Sequence, residues 1–374
     1  MSIDQPDYKP VYIMGAGASK MLGAPLLADF LTRAREIRYA PSFAQSHGEI
    51  IAERLSRAFD EVFLYQGELL RIKAYLGSDL DNLENLFSML DMDLETQKLK
   101  STSLRLSFLS LVVETLRTSV KTEGDDWITY AQIIKSLAQP ALSSFVTFNY
   151  DLAIEQALCA KNVHLISDVF DYDYCTQDGS APTSERSKRL LKLHGSSNWV
   201  RCDECQDFRV LPDYAIPLKF EGMRGELHNQ SKCNGVNRFQ NLLIPPTWNK
   251  SNNAKQISSV WQAAIEEIST ATHLFVIGYS FPSTDAFFDQ LLGLALARSR
   301  NLKTVVVVNP SDSVRDALTF FFEKHFLSKH VKLIPAFFAG LRMIRWPLDI
   351  ISKEKMDGFI AELYRQTKDQ RVLP

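Results

Sequence analysis

Cysteine is scarce and odd in number. Five residues scattered over 374 do not make the even, closely spaced framework of a disulfide-stapled secreted domain, and they fit a reducing compartment. No stretch approaches the roughly 20 apolar residues of a membrane span, and Met1-Ser2-Ile3-Asp4-Gln5 lacks the basic segment and apolar core of a secretory leader. A cytoplasmic protein with no membrane contact is expected. An excess of one charge is missing too: 42 basic against 44 acidic residues give a formal net charge of -2. Nothing therefore draws the whole chain to nucleic acid or to an acidic surface. Internal repeats and low-complexity tracts are absent, which excludes solenoids. Without a clustered carboxylate metal site or a basic stripe, a nucleic-acid-processing effector is disfavoured and no direct nucleic-acid binding is expected.

What is present is core material, 45% hydrophobic residues, arranged in short apolar runs at Val11–Met14, Phe145–Phe148, Leu190–Leu193, Leu274–Ile277 and Val305–Val308. Each run is too unbroken for a half-wet sheet and reads as a buried parallel strand. Helical patterns lie between several of them, at Pro25 to Ile37, Asp151 to Ala160, Ser258 to Ala271, Asp285 to Ala297 and Ser313 to Phe326. The alternation predicts an α/β fold with a doubly wound, Rossmann-like parallel sheet. Two interruptions break it. Residues 40–140 carry apolar spacings of three and four at Ile50 to Leu64, Glu68 to Leu76, Leu83 to Met92 and Leu104 to Val120, predicting a helical insertion. Its acidic residues Asp79, Asp81 and Glu84 read as helix-start charges on a solvated face. Residues 199–247 are rich in Cys, Asn, Asp, Gly and Pro, predicting a small loop-rich, zinc-ribbon-like insertion. One domain over 1–310 thus holds both insertions. Residues 311–374, with a last helix from Ser352 to Thr367, complete it or mediate oligomer contacts.

Ligands of an open parallel sheet bind beyond the carboxyl ends of its strands. Those ends carry Gly15-Ala16-Gly17-Ala18-Ser19, Thr147-Phe148-Asn149-Tyr150-Asp151, His194-Gly195-Ser196, Gly278-Tyr279-Ser280 and Asn309-Pro310. The glycine run is placed where a chain of this class cradles phosphates, with tight turns and free amides at a helix N-terminus. Its spacing is G-x-G-x-S, not G-x-G-x-x-G, and no acidic residue ends a strand about 20 positions on. Bland readings stand beside each piece. The glycine run and Gly278–Ser280 can be plain turns, Asp151 a helix cap, and His194 a satisfied turn residue.

The ordered set G-A-G-A-S-K-M-L-G-A-P-L-L-A-D-F (Gly15–Phe30), T-F-N-Y-D (Thr147–Asp151), K-L-H-G-S-S-N-W (Lys192–Trp199), L-I-P-P-T (Leu243–Thr247) and V-I-G-Y-S-F (Val276–Phe281) resembles the sirtuin-like family. Within it, the set resembles the divergent bacterial branch of NAD hydrolases of antiphage defence. The resemblance implies NAD+ as substrate, with Gly15, Ala16, Gly17, Ala18 and Ser19 around the pyrophosphate and ribose. Gly23, Pro25, Asp29, Thr147 and Phe148 would join the cofactor site, and Gly278, Tyr279, Ser280 and Asn309 would serve the adenosine side. Asn149 and Asp151 would flank the nicotinamide ribose and carboxamide, and His194 would be the catalytic histidine. Two departures weaken lysine deacylation: Pro25 is followed by Leu26-Leu27-Ala28 instead of Asp-Phe-Arg, and Tyr150 replaces the isoleucine between the catalytic Asn and Asp.

Elementary chemistry agrees with bond cleavage at the ribose. Loss of nicotinamide builds positive charge at C1′, so the site must hold hydroxyls, orient water and shelter a cation. An asparagine amide donates and accepts without ionising, and a histidine of unperturbed pKa about 6.5 can act as a base. His47, His164, His273, His325 and His330 have no such companions and read as structural. Cys202-Asp203-Glu204-Cys205 has the spacing of half a zinc ribbon, which Cys233 and His228 can complete as a Cys3His site. The alternative is a degenerate ribbon with free thiols, Cys159 and Cys175 being isolated.

The expected function is therefore an NAD+ glycohydrolase yielding nicotinamide and ADP-ribose, an NAD-depleting effector of abortive infection. Alternatives are an NAD-dependent deacylase, an ADP-ribosyltransferase, or a non-catalytic NAD or ADP-ribose sensor. The sheet and its insertions use nearly all of the chain, so control is expected from a homo-oligomer or a separately encoded regulator such as a HerA-like hexameric ATPase or a short Argonaute.

Overall fold

The computed structural model describes residues 8–71, 79–96, 101–161, 163, 168–176, 186–202, 208–217, 239–244, 251–280, 286–302, 304–309 and 332–333. Strands form at β1 (Pro10–Met14), β2 (Ser144–Thr147), β3 (Tyr172–Asp173), β4 (Lys188–Lys192), β5 (Gly195–Cys202), β6 (Phe208–Val210), β7 (Phe239–Leu243), β8 (His273–Ile277), β9 (Thr304–Val308) and β10 (Lys332–Leu333). Seven of them make a parallel sheet in the order β10-β9-β8-β1-β2-β4-β3, while β6-β5-β7 form a separate antiparallel sheet. The five apolar runs are β1, β2, β4, β8 and β9, and they lie side by side. Every residue of β1, β2, β4 and β8 is buried, as a sheet covered on both faces requires. The flanking strands β3 and β10, two residues each, are too short to leave a pattern.

Helices occupy α1 (Phe30–Tyr39), α2 (Ser42–Gln45), α3 (Glu49–Leu70), α4 (Leu83–Thr96), α5 (Ser101–Ser119), α6 (Asp125–Ala138), α7 (Ala153–Cys159), α8 (Ser251–Thr270) and α9 (Ala286–Arg298). The crossovers β2-α7-β4 and β8-α9-β9 leave β1 in opposite directions, so right-handed connections put α7 and α9 on opposite faces. α6 packs on α7, and α8 on α9. None of the described helices is long and apolar enough to cross a membrane. The patterns at 313–326 and 352–367 lie outside the described residues, as do residues 72–76 of the 68–76 pattern.

One expectation about helices is corrected, and α6 falls outside the predicted patterns. The helix expected from Pro25 starts at Phe30, preceded by single 3-10 turns at Ala16–Ala18 and Lys20–Leu22. Gly23, at φ +89°, ends the second turn, and Pro25 disfavours helical backbone at Ala24. The helix α6 was not expected. It is buried on all sides from Tyr130 to Ala138, so no polar stripe marks it.

A second apolar core lies in the helical insertion. Leu55, Phe59 and Val62 of α3 meet Leu86 and Phe87 of α4 and Phe108, Leu111 and Val113 of α5, and Ile216 and Leu243 from the small-sheet region join them. Each large side chain so buried contributes up to about 1.5–3 kcal/mol. Beside this core sits a buried ionic knot. Glu114 Oε1 and Oε2 each accept from Arg117 at 2.8 Å, Oε1 accepts from Thr118 at 3.0 Å, and His47 Nε2 lies 2.9 Å from Oε1. Burial alone would raise the Glu114 pKa, but Arg117 and His47 outweigh it and hold the carboxyl below its ordinary value of 4.5. A depressed folded pKa gives stability that is complete above the unfolded value and lost as pH falls through the folded one. Glu114→Gln should therefore be less stable than wild type at neutral pH. Its urea midpoint should vary less with pH below about 4.5, so that the two proteins converge in acid.

Candidate active site

Register levels the strand ends. Met14 pairs with Thr147 on one side and Ile277 on the other, Thr147 pairs with Lys192, and Ile277 with Val308. The five chain segments that follow these residues thus leave the sheet along one edge. Since the chain runs from β1 to β2 and later returns to the other side of β1, that edge contains the topological switch point where α/β sheets bind ligands.

A cavity of about 480 Å³ opens there. It is lined by Ala16, Gly17, Ser19 and Pro25 from the segment after β1, by Phe148, Asn149 and Asp151 after β2, by His194 after β4, by Gly278, Tyr279 and Ser280 after β8, and by Asn309 after β9. Gly15, Ala18, Gly23, Asp29 and Thr147 are not in its lining among the described residues. Thr147 acts from behind: its hydroxyl donates to Met14 O at 2.9 Å and accepts from Asn149 N at 3.1 Å. Asp29 is exposed beside the first turn of α1.

The polar floor is a connected set. Asn149 Nδ2 donates to Gly15 O at 3.1 Å and to Ser19 Oγ at 3.0 Å, and Ser19 Oγ donates to Asp151 Oδ2 at 2.8 Å. Asp151 Oδ1 accepts from Ala153 N at 3.0 Å, an Asx turn that leads into α7. The Gly15 carbonyl can only accept, which fixes the amide orientation of Asn149 and leaves its Oδ1 as an acceptor for whatever enters the cavity. The wall above is aromatic. Phe148 stacks on Tyr279 at 4.1 Å and meets the His194 ring edge-on at 5.3 Å, and the Tyr150 ring lies 6.2 Å from that of His194. Trp261 Nε1 holds Leu193 O at 2.9 Å, immediately before His194.

The glycines also pack two backbone segments together. Four amides of the run are already donated, Gly15 N to Ile277 O, Gly17 N to Gly278 O, Ala18 N to Gly15 O and Ser19 N to Ala16 O. A Cβ on Gly17 would stand 2.8 Å from Gly278 O, and one on Gly278, whose φ is +62°, would stand 2.4 Å from Ala18 N. Close packing of two backbone segments by itself demands glycine here. Gly278→Ala should lose at least about 1–3 kcal/mol from the left-handed backbone alone, read from urea unfolding, and the clash adds to it.

Two charged lining residues escaped the sequence reading. Glu84 is not on a solvated face: it is 3% exposed and lines the cavity together with Asn82 and Leu83 at the start of α4. Asp79 and Asp81 are exposed as expected. Packing of the helical insertion over the sheet edge buries Glu84, and helix periodicity alone does not report that. Lys20 is exposed, lines the cavity and makes no ion pair among the described residues. Its place in the G-A-G-A-S-K run was the available signal.

Cys202 is buried at the end of β5, Cys175 is buried and Cys159 is exposed, and none of the three is in a disulfide among the described residues. Burial and the nearby Asp173 carboxylate push the Cys175 thiol up to about 12. Cys205, His228 and Cys233 lie outside the described residues, as do His164, His325 and His330. Among the described residues no three His, Cys, Asp or Glu side chains gather as a metal site. His273 is buried against Thr272, away from the cavity.

Comparison with known proteins gives a match to the family described as SIR2-like domain over residues 143–329. Among solved structures, a Sir2 homologue variant in complex with ADP-ribose is 12% identical at a TM-score of 0.41, covering 86% of this chain and 94% of that one. A Sir2 homologue in complex with NAD is 13% identical at 0.36, covering 85% and 90%. Sir2Tm bound to a propionylated peptide is 14% identical at 0.38, covering 84% and 93%. No curated protein sequence matches the chain.

Proposed function

The chain belongs to the SIR2-like domain family, whose match spans half of it, and from that premise we propose that it is an NAD+ glycohydrolase acting in the strand-end cavity. Scission of the nicotinamide–ribose bond leaves its electron pair on the nicotinamide nitrogen and positive charge at C1′. Water then adds to C1′, and its proton passes to a base. Asn149 Oδ1 is suited to accept a hydrogen from that water or from a ribose hydroxyl, and His194 to take the proton. The Asp151 carboxylate, held by Ser19 and Ala153, places negative charge near the developing cation. Lys20 supplies a cation for the pyrophosphate.

The observation that carries this reading is the meeting of Asn149, Asp151 and His194 in one cavity. A second observation favours water over a protein acceptor. Ile244, at the end of β7, has its amide donated to His194 O at 2.8 Å and its carbonyl taken by Tyr150 OH at 2.8 Å. Ile244 itself thus has both backbone groups engaged within the chain, where a peptide adding as a strand would draw on such groups. We place the activity in NAD depletion during antiphage defence, controlled by self-assembly or by a regulator such as a HerA-like ATPase or a short Argonaute. Zinc held by Cys202, Cys205, Cys233 and His228 belongs to the same proposal.

Purified protein incubated with NAD+, alone and with candidate partners, should release nicotinamide and ADP-ribose in equal amounts by chromatography. A deacylated peptide would instead support the deacylase, and tight binding with the dinucleotide intact would support a sensor. Native mass spectrometry showing neither oligomer nor partner would count against external control.

A further inference from the structure

We propose that Tyr150 selects the acceptor of the reaction: it walls off a second, apolar chamber and so reserves the site for water. The inference rests on the NAD+-cleaving reading above. Next to the main cavity lies a chamber of about 20 Å³, too small for more than one water, and apolar voids of this kind stay dry. Leu27, Leu83, Glu84 and Tyr150 line both spaces and therefore form the partition between them, while Phe87, Leu109, Val112 and Leu243 make the far wall.

Tyr150 is the part of the partition nearest the chemistry, because its chain neighbours are Asn149 and Asp151. It is held at both ends. Its carbonyl accepts from Ser197 N at 3.0 Å and Ser197 Oγ at 2.6 Å, and its hydroxyl donates to Ile244 O at 2.8 Å. Removing the ring joins the chamber to the cavity and creates an apolar space beside Asn149. The alkyl chain of a primary alcohol fits such a space with its hydroxyl in the place of water. The step then balances as alcoholysis. The C1′–N bond breaks with its electron pair on nicotinamide, a C1′–O bond forms to the alcohol, and the alcohol proton passes to His194 or solvent, with no oxidation or reduction.

The test supplies NAD+ with methanol and 1-butanol together and reads O-alkyl-ADP-ribose by mass spectrometry. Tyr150→Ala should raise the butyl-to-methyl product ratio at least about tenfold over wild type, the discrimination of a single well-packed methylene. Tyr150→Phe keeps the ring and should keep the wild-type ratio. An unchanged ratio in Tyr150→Ala, or an equal rise in Tyr150→Phe, overturns the proposal. Crystals under xenon pressure give a readout independent of turnover: Tyr150→Ala should hold xenon between Leu83 and Leu243 where wild type holds none. A Tyr150→Ala crystal without it would overturn the partition. Failure of wild type to release nicotinamide would overturn the hydrolase reading and the acceptor role with it, and xenon in the variant would still establish the partition.

Discussion

Replacing Asn149 with alanine should lower nicotinamide release by about 100- to 1,000-fold, the usual loss when one pre-placed transition-state contact is removed. Both amide hydrogens of Asn149 are spent on Gly15 O and Ser19 Oγ, so its remaining polar atom, Oδ1, is the one available to position a hydroxyl or a water. Alanine deletes that acceptor and the two internal bonds together. The stability loss should stay near about 1–3 kcal/mol, because Ser19 keeps Asp151 as a partner. Asn149→Asp should be worse on both counts. Its second carboxylate oxygen would face the Gly15 carbonyl, which cannot donate, and would compete with Asp151 for the single Ser19 hydrogen. Steady-state kinetics with calorimetric titration of NAD+ separate the effects: kcat should fall while affinity changes little. An alanine variant keeping more than a tenth of wild-type turnover would remove Asn149 from the chemistry.

Much of the sheet was legible because parallel strands buried on both faces leave unbroken β-branched and aromatic runs. Val11–Met14 and Val305–Val308 need no partner information to be read. The strand-end polar residues were legible for a related reason: a chain leaving a buried strand must turn, and Asn149, His194 and Gly278 stand at those turns and line the cavity. Residues whose environment is set by remote chain were not legible. Glu84 reads as a surface charge because the helix start that carries it is ordinary, and only the approach of the helical insertion to the sheet edge buries it. The buried α6 has no polar face to give its period away. The lysines of β4 were opaque for the same reason. Lys188 and Lys192 are almost fully buried, and the carbonyl groups that satisfy them lie about 40 residues or more away in the chain.

Lys192 is where that hidden polarity should matter most. Its ammonium, at the end of β4, donates to Asp151 O and to Glu155 Oε1, the latter at 2.7 Å, and the same oxygen accepts from Tyr174 OH at 2.9 Å. The two side chains are 1% and 5% exposed, so Lys192→Met leaves a buried carboxylate without its cation. A loss of about 3–5 kcal/mol is expected from chemical denaturation. Adding Glu155→Leu removes the orphaned charge, and most of that stability should return, since an apolar pair often substitutes for a buried ionic one without loss. Turnover should not return with it. The segment carrying Asn149 and Asp151 is tied by Ser197 at Tyr150 O, by Ser19 at the Asp151 carboxylate and by Lys192 at Asp151 O, and the double variant still lacks the last tie. A stable double variant with reduced kcat and a nearly unchanged KM would separate holding the loop from holding the fold. Wild-type turnover in that variant would mean that the remaining ties place the loop unaided.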